Sequence, residues 1–137
     1  MGHECVFCRI IAGELPAEKV YEDGDVVAFM DISPVAKGHT LVVPKAHSDP
    51  ITETPDAVLA KVIAVVRKVA RAQFQTLKAD GVSVSQANGQ AAGQEVPHIH
   101  FHVIPRFEGS GRQWTPGKYD SPDEMRQYAT RLRDVLR

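Results

Sequence analysis

At 137 residues, 43 % hydrophobic and 24 % charged, the chain has the length of one domain and an ordinary globular composition, which excludes intrinsic disorder and fibrous repeats. Sixteen Lys and Arg against seventeen Asp and Glu give a formal net charge of −1, without the basic footprint of a nucleic-acid or membrane-surface binder. The longest mostly apolar run, residues 58–72, is interrupted by Lys61, Arg67, Lys68 and Arg71, so no segment is expected to span a bilayer. The N-terminus has no basic segment followed by an apolar one; Gly2, His3 and Glu4 lead straight to Cys5. The expectation is a single-domain cytoplasmic protein, residues 1–137, with no nucleic-acid or membrane partner.

In chain order, residues 5–12 carry Val6, Phe7, Ile10 and Ile11 as a short helical stripe, ended by Gly13 and Pro16. Residues 19–22 and 26–30 read as two strands around the turn Glu22-Asp23-Gly24-Asp25, followed by a loop over 31–38. Residues 39–44 form a third strand, closed by Pro44. Thr54-Pro55 offers an N-cap with proline in the first helical position. The helix it opens runs to about Leu77, with Val58, Leu59, Val62, Ile63, Val66, Val69 and Phe74 on its apolar face. Val82 and Val84 alternate with Ser83 and Ser85 in a strand over 81–86. A Gly- and Ala-rich loop over 88–93 leads to a last strand over 97–105. Ser121-Pro122-Asp123-Glu124 fits a capping box opening a helix to Leu136. The order β-β-β-α-β-β-α leaves no room for repeated βαβ crossovers, so the sheet is expected to be antiparallel and the class α+β.

Chemistry concentrates at His98, His100 and His102, three of the six histidines. In a strand, positions i, i+2 and i+4 share a face about 6–7 Å apart, while Ile99, Phe101 and Val103 point to the core. Two functional readings follow. The row ligates a metal, since neutral imidazole suits zinc, iron and copper; or one imidazole is a nucleophile or base beside groups that bind an anion. Immediately upstream, residues 88–97 include Gly89 and Gly93, whose backbone freedom lets N–H groups converge on a phosphate.

The run Gly93-Gln94-Glu95-Val96-Pro97-His98-Ile99-His100-Phe101-His102-Val103-Ile104 resembles the signature of the histidine triad (HIT) family. The resemblance extends through residues 7–16, 28–34 and 38–45 and covers residues 4 to about 107, with the tail adding a helix over 121–136. It implies an α+β fold with an antiparallel sheet of about five strands, a long helix and a C-terminal helix, assembled as a homodimer. It further implies hydrolysis or nucleotidyl transfer at the α-phosphorus of a purine nucleotide, through a nucleotidyl-histidine intermediate on His100. The substrates would be adenosine phosphoramidate-like or dinucleoside polyphosphates. By the same resemblance His102 contacts the phosphate and leaving-group oxygens, and His39 lines the site. Asp31 receives the ribose hydroxyls; Val6, Phe7, Ile10, Phe29 and Ile32 hold the base; Asn88, Gly93, Gln94, Glu95 and Val96 serve the phosphate. Glu95 departs from the serine of the family's phosphoramidase branch, so either its side chain turns away or the leaving-group preference differs.

Cys5-x-x-Cys8 suggests metal or redox chemistry rather than a disulfide framework. A closed structural zinc needs four ligands; Cys5, Cys8 and His47 supply three and His98 the fourth, as at matching positions of some family members. His3 is expected to be a free terminal residue. Two alternatives to the hydrolase remain at this level: a regulatory module that senses AMP without turnover, and a metalloenzyme holding one catalytic zinc on His98, His100 and His102.

Overall fold

In the computed structural model, which describes residues 5–136, the apolar runs of the sequence become eight elements. These are α1 (Val6–Ile11), β1 (Lys19–Glu22), β2 (Val26–Met30), β3 (Thr40–Pro44), α2 (Asp56–Thr76), β4 (Gly81–Ser85), β5 (Phe101–Arg106) and α3 (Pro122–Val135). His3 lies outside the described residues. The strands form one five-stranded sheet in the order β1-β2-β3-β5-β4, antiparallel at every pairing. The α+β expectation therefore holds.

Strand alternation divides the core in two. Val26, Ala28 and Met30 of β2, Val42 of β3 and Phe101 and Val103 of β5 turn to one face. There they meet Val62, Val65, Val66, Val69 and Ala72 of α2 and Ala129 and Leu132 of α3. Val27, Phe29, Leu41 and Val43 turn to the opposite face and pack on Cys5, Phe7 and Ile10 at the start of the chain. Cover on both sides explains why every residue of β2 and β3 is buried rather than alternate ones.

The structure corrects several boundaries. Thr54 does not cap α2: its hydroxyl donates to the Pro50 carbonyl, and Pro55 occupies the cap position without a side-chain bond. Ile63 and Phe74, expected on the packed face of α2, are 49 % and 47 % exposed. The inward stripe is rotated to include Val65, Ala72 and Gln73. The last strand starts at Phe101, so His98, in a bend, and His100 stand before it. At α3 the Ser121 hydroxyl does accept from the Glu124 N–H, but Glu124 reaches back to the N–H of Asp120 rather than to that of Ser121.

Two residues behind the sheet fix the histidine-bearing strands. Gln73 is fully buried on α2, and its amide donates to the carbonyls of Gly38 and Val103, the chain neighbours of His39 and His102. Gly38 has φ +104°, and a Cβ there would lie 2.5 Å from Leu77 Cδ1. Only glycine lets the chain turn into β3 at this closeness to the helix end.

Candidate functional site

The face of the sheet away from α2 carries the chemistry. His39, Leu41 and Val43 project there from β3 and the residue before it. His102 is paired opposite Leu41 on one side and Ser85 on the other, so all three share that face. The His100 and His102 rings lie 5.0 Å apart, and those of His39 and His102 5.1 Å. Ile99, Phe101 and Val103 are buried, as the alternation requires. The His98, His100 and His102 rings nevertheless do not converge on one point, because each first ring nitrogen is directed to a different partner.

Those partners assign the tautomers. The His98 carbonyl can only accept, so His100 Nδ1 donates to it at 2.7 Å, leaving Nε2 as the lone-pair nitrogen. The Val35 N–H can only donate, so His39 Nδ1 accepts at 3.1 Å. Neutral His39 then carries its proton on Nε2, which faces His102 Nδ1 at 2.9 Å. His102 in turn holds its proton on Nε2. The chain Val35 N–H, His39, His102 thus delivers a donor at the far ring nitrogen of His102. It also argues against a cation held by Asp31, His39 and His102, although their donor atoms lie within 4.8 Å of one another. The nitrogen of His39 facing that point bears a hydrogen.

Burial depresses all four site histidines. His39 falls to about 3, chiefly by desolvation and then by the charges of His102 and Arg106. His102 falls to about 4 through desolvation and His100. Desolvation also lowers His98 and His100. At neutral pH the row is uncharged, as nucleophilic imidazole requires. The linkage has a definite sign. Unfolded histidines bind protons near ~6.5 while native His39 and His102 stay neutral to about 3 and about 4, so the unfolded state binds more protons in between. Stability is complete above the unfolded value and declines as pH falls through this window, by at most about 1.4 kcal/mol per pH unit for each histidine. Urea midpoints measured from pH 7 to pH 4.5 should fall in this way, and His39→Asn should show a shallower decline. A pH-independent midpoint would contradict neutral burial.

Asp31 follows β2. Its Oδ1 accepts from Ser33 N–H at 2.8 Å, and its Oδ2 lies 3.6 Å from His39 Nε2. Burial raises its pKa, partly offset by the Ser33 bond and the nearby His100, and Glu95 adds repulsion. Among the residues expected at the base, Phe7, Ile10 and Phe29 are buried together. The Phe7 ring meets His100 edge-on at 4.9 Å and Phe29 at 5.4 Å. Val6 is 46 % exposed and Ile32 75 % exposed, so neither is ordinary core. In the loop, Gly93 has φ +96°. The Gln94 side chain is tied to Gly89 N–H, Asp49 and the Val96 carbonyl. Asn88 Oδ1 accepts from Ile51 N–H and from Gln86. Both amides therefore shape the loop with their side chains, while Val96 packs on the Phe7 cluster. Glu95 is exposed, and its charge reaches both Asp31 and His100.

The four expected metal ligands come together. Donor atoms of Cys5, Cys8, His47 and His98 all lie within 4.8 Å of one another. Cys8 Sγ is 3.2 Å from His47 Nδ1 and 3.5 Å from His98 Nδ1, and Cys5 Sγ is 3.4 Å from the latter. His98 Nε2–H donates to the Pro44 carbonyl at 2.8 Å, which leaves Nδ1 as a lone pair aimed at the thiols. Burial and the adjacent Cys5 thiol push the Cys8 thiol up to about 11. A divalent cation among these donors is what would hold both sulfurs as thiolates. Two sulfurs and two imidazoles, that of His98 oriented by Pro44, fit a closed tetrahedral zinc.

Sequence reading missed Gln73, which resembles an ordinary helix-surface residue, and Arg106, whose side chain lies along the site face. The one available signal for Gln73 is its spacing from Val62, Val66 and Val69, which places it on the inward stripe.

Comparison with known proteins matches residues 12–109 to the HIT domain. An adenosine 5′-monophosphoramidase of Candida albicans is 34 % identical over 139 residues, covering 96 % of this chain and 91 % of its own. An adenylylsulfatase of Arabidopsis thaliana is 40 % identical over 108 residues, covering 79 % of this chain and 55 % of its own. The crystal structure of a zinc-bound histidine triad family protein from Mycobacterium smegmatis superposes with a TM-score of 0.90 at 37 % identity, over 99 % of this chain and 95 % of that one.

Proposed function

This chain belongs to the HIT family, and from that premise we propose that it hydrolyses purine nucleoside 5′-phosphates bearing a leaving group on the α-phosphorus, with His100 as nucleophile. The observation that carries this reading is the His100 Nδ1 bond to the His98 carbonyl, which frees a neutral Nε2 for attack. In the first step the Nε2–P bond forms as the bond to the leaving group breaks, and His102 Nε2–H gives its proton to a basic leaving group such as an amine. Water then attacks phosphorus and gives a proton back to His102 Nε2 as the His100 Nε2–P bond breaks, which restores both neutral histidines and releases the nucleoside monophosphate. Similarity to a phosphoramidase and an adenylylsulfatase supports a nucleotide hydrolase. Mass spectrometry of protein quenched during turnover of adenosine 5′-phosphoramidate should find a nucleotidyl adduct on the peptide containing His100; steady turnover with no adduct on that peptide under rapid quench would refute the covalent route.

Phe7, Ile10 and Phe29 floor the base cleft, with Val6 and Ile32 at its rim, and the carboxylate of Asp31 holds the ribose hydroxyls. Gly93 and the backbone N–H groups of Glu95 and Val96, with the loop shaped by Asn88 and Gln94, serve the phosphate. Asp31→Ala should cost on the order of 1–3 kcal/mol in nucleotide affinity. Ribonucleotide should lose its advantage over the 2′,3′-dideoxy form in the mutant; equal discrimination in both proteins would place the sugar elsewhere.

Zinc at Cys5, Cys8, His47 and His98 is structural in this reading. The protein acts as a homodimer, because β4 is an edge strand and exposed Val84 belongs to the same sheet face as exposed Ile63 and Phe74 of α2. Sedimentation should give twice the 15.0 kDa chain mass, falling to one chain in Phe74→Glu; a monomeric wild type at micromolar concentration would contradict it. The two unpaired cysteines suit a reducing, cytoplasmic compartment.

A further inference from the structure

Beyond His102 the site face continues along β4 and β5 to a second group of polar residues. Ser85 lies opposite His102, Ser83 opposite Ile104 and Gly81 opposite Arg106. The Arg106 side chain does not stay beside its own partner Gly81. Its Nε donates to Ser83 Oγ at 3.0 Å, which lays the guanidinium back along the strand toward His102. Nη1 donates to the Gln113 carbonyl, and the Trp114 ring covers the guanidinium with its centroid 4.7 Å from Cζ. Nη2 is buried and finds no partner among the described residues. A buried guanidinium N–H without a partner is costly and calls for an acceptor, a water or a ligand oxygen. Trp114 itself is 54 % exposed, so solvent reaches the outer side of the indole.

The carboxylates of Asp31 and Glu95 act at His100, and the Arg106 cation acts at His39, whose ring also lies 3.6 Å from Asp31. We propose that Arg106, with Ser83 and the Trp114 ring, forms a subsite for a tetrahedral oxyanion, phosphate or sulfate, joined through oxygen to the α-phosphorus of the nucleotide. This rests on the function proposed above and names its leaving-group class. When the His100 Nε2–P bond forms and the P–O bond breaks, the electron pair stays on the departing oxyanion, which needs a cation more than a proton. Nη2 supplies that cation through a charge-assisted hydrogen bond, with Ser83 Oγ as a second donor.

The chain's single tryptophan makes the site directly readable, since Trp114 is that residue. Binding of AMP and of α,β-methylene-ADP, which cannot be cleaved at the bridging position, is measured by calorimetry and by Trp114 emission. α,β-Methylene-ADP should bind on the order of tenfold tighter than AMP or better, the range of a charge-assisted bond, and should change the emission where AMP does not. Arg106→Gln should bring the two affinities together. Adenosine 5′-phosphosulfate, bound to His100→Ala so that it persists, distinguishes the sources: a preference over AMP comparable to that of the methylene compound assigns the subsite to either oxyanion, a weaker one to phosphate. An unchanged emission together with equal affinities in the wild type overturns the subsite, whether or not Arg106→Gln folds. The same affinity ratio in wild type and folded Arg106→Gln overturns the role of Arg106. Should neither AMP nor its analogue bind, the proposed function itself fails, and the subsite with it.

Discussion

His100→Ala should turn over nucleotide substrates at no more than about a thousandth of the wild-type rate, the order of loss expected when a covalent nucleophile is removed. Nucleotide affinity should survive. The contacts assigned to ribose, base and phosphate lie on Asp31, on the Phe7 and Phe29 cluster and on the loop before His98; of these only Phe7 touches the His100 ring, and Phe29 and the rest of its cluster still hold it. His100 Nδ1 has a single protein partner, the His98 carbonyl, so the substitution leaves one acceptor in need of water rather than collapsing a network. The measurement is kcat/KM for adenosine 5′-phosphoramidate beside a calorimetric Kd for AMP. Wild-type turnover in the mutant would end the nucleophile assignment; a parallel loss of AMP binding would show that His100 holds the nucleotide instead.

Freshly purified, tag-free protein should carry about one equivalent of zinc, and Cys8→Ser should carry less than about a tenth. The melting temperature should drop on the order of 5–15 °C, since losing a few kcal/mol shifts a chain of this size by that much. The reason is positional. Cys5 caps α1, Cys8 lies one turn on, and their partners His47 and His98 sit after β3 and before β5. The four donors therefore tie the N-terminal helix to the chain entering β5, where the proposed nucleophile His100 stands. Phe7 lies between the two cysteines and touches His98 and His100 edge-on, so loosening α1 moves one wall of the base cleft. Nucleotide affinity should weaken more than the chemical step. Zinc below about a tenth of an equivalent in metal-replete wild type would remove the metal from the account, and a fall in kcat with unchanged affinity would remove the positional argument.

Local pattern determined a large part of this protein. The short apolar runs over residues 26–30 and 40–44 and the amphipathic character of α2 are properties of neighbouring residues, and they appear in the structure as two strands and a long helix. The same is true of the same-face placement of His100 and His102, because the two-residue period continues into the chain just before β5. Cys5, Cys8, His47 and His98 could be named as one ligand set from their chemistry and from family likeness. Their convergence, over up to 93 residues of separation, depends on the pairing of β3 with β5.

Only the tertiary structure decided the rest. The helix stripe was misjudged by a fraction of a turn, because periodicity reports that a face is apolar but not which side of a broad apolar band meets the sheet. Ile63 and Phe74 fall on the uncovered side and Gln73 on the covered one. Tautomers are equally nonlocal: the Val35 N–H fixes His39, and His39 fixes His102, through bonds that no spacing encodes. Arg106 reads in sequence as a charged strand end. Its guanidinium became part of the site face because Ser83 on the neighbouring strand and Trp114 on the returning tail hold it there. Side-chain direction at a strand end is set by partners across the sheet, and those partners exist only once the chain has folded.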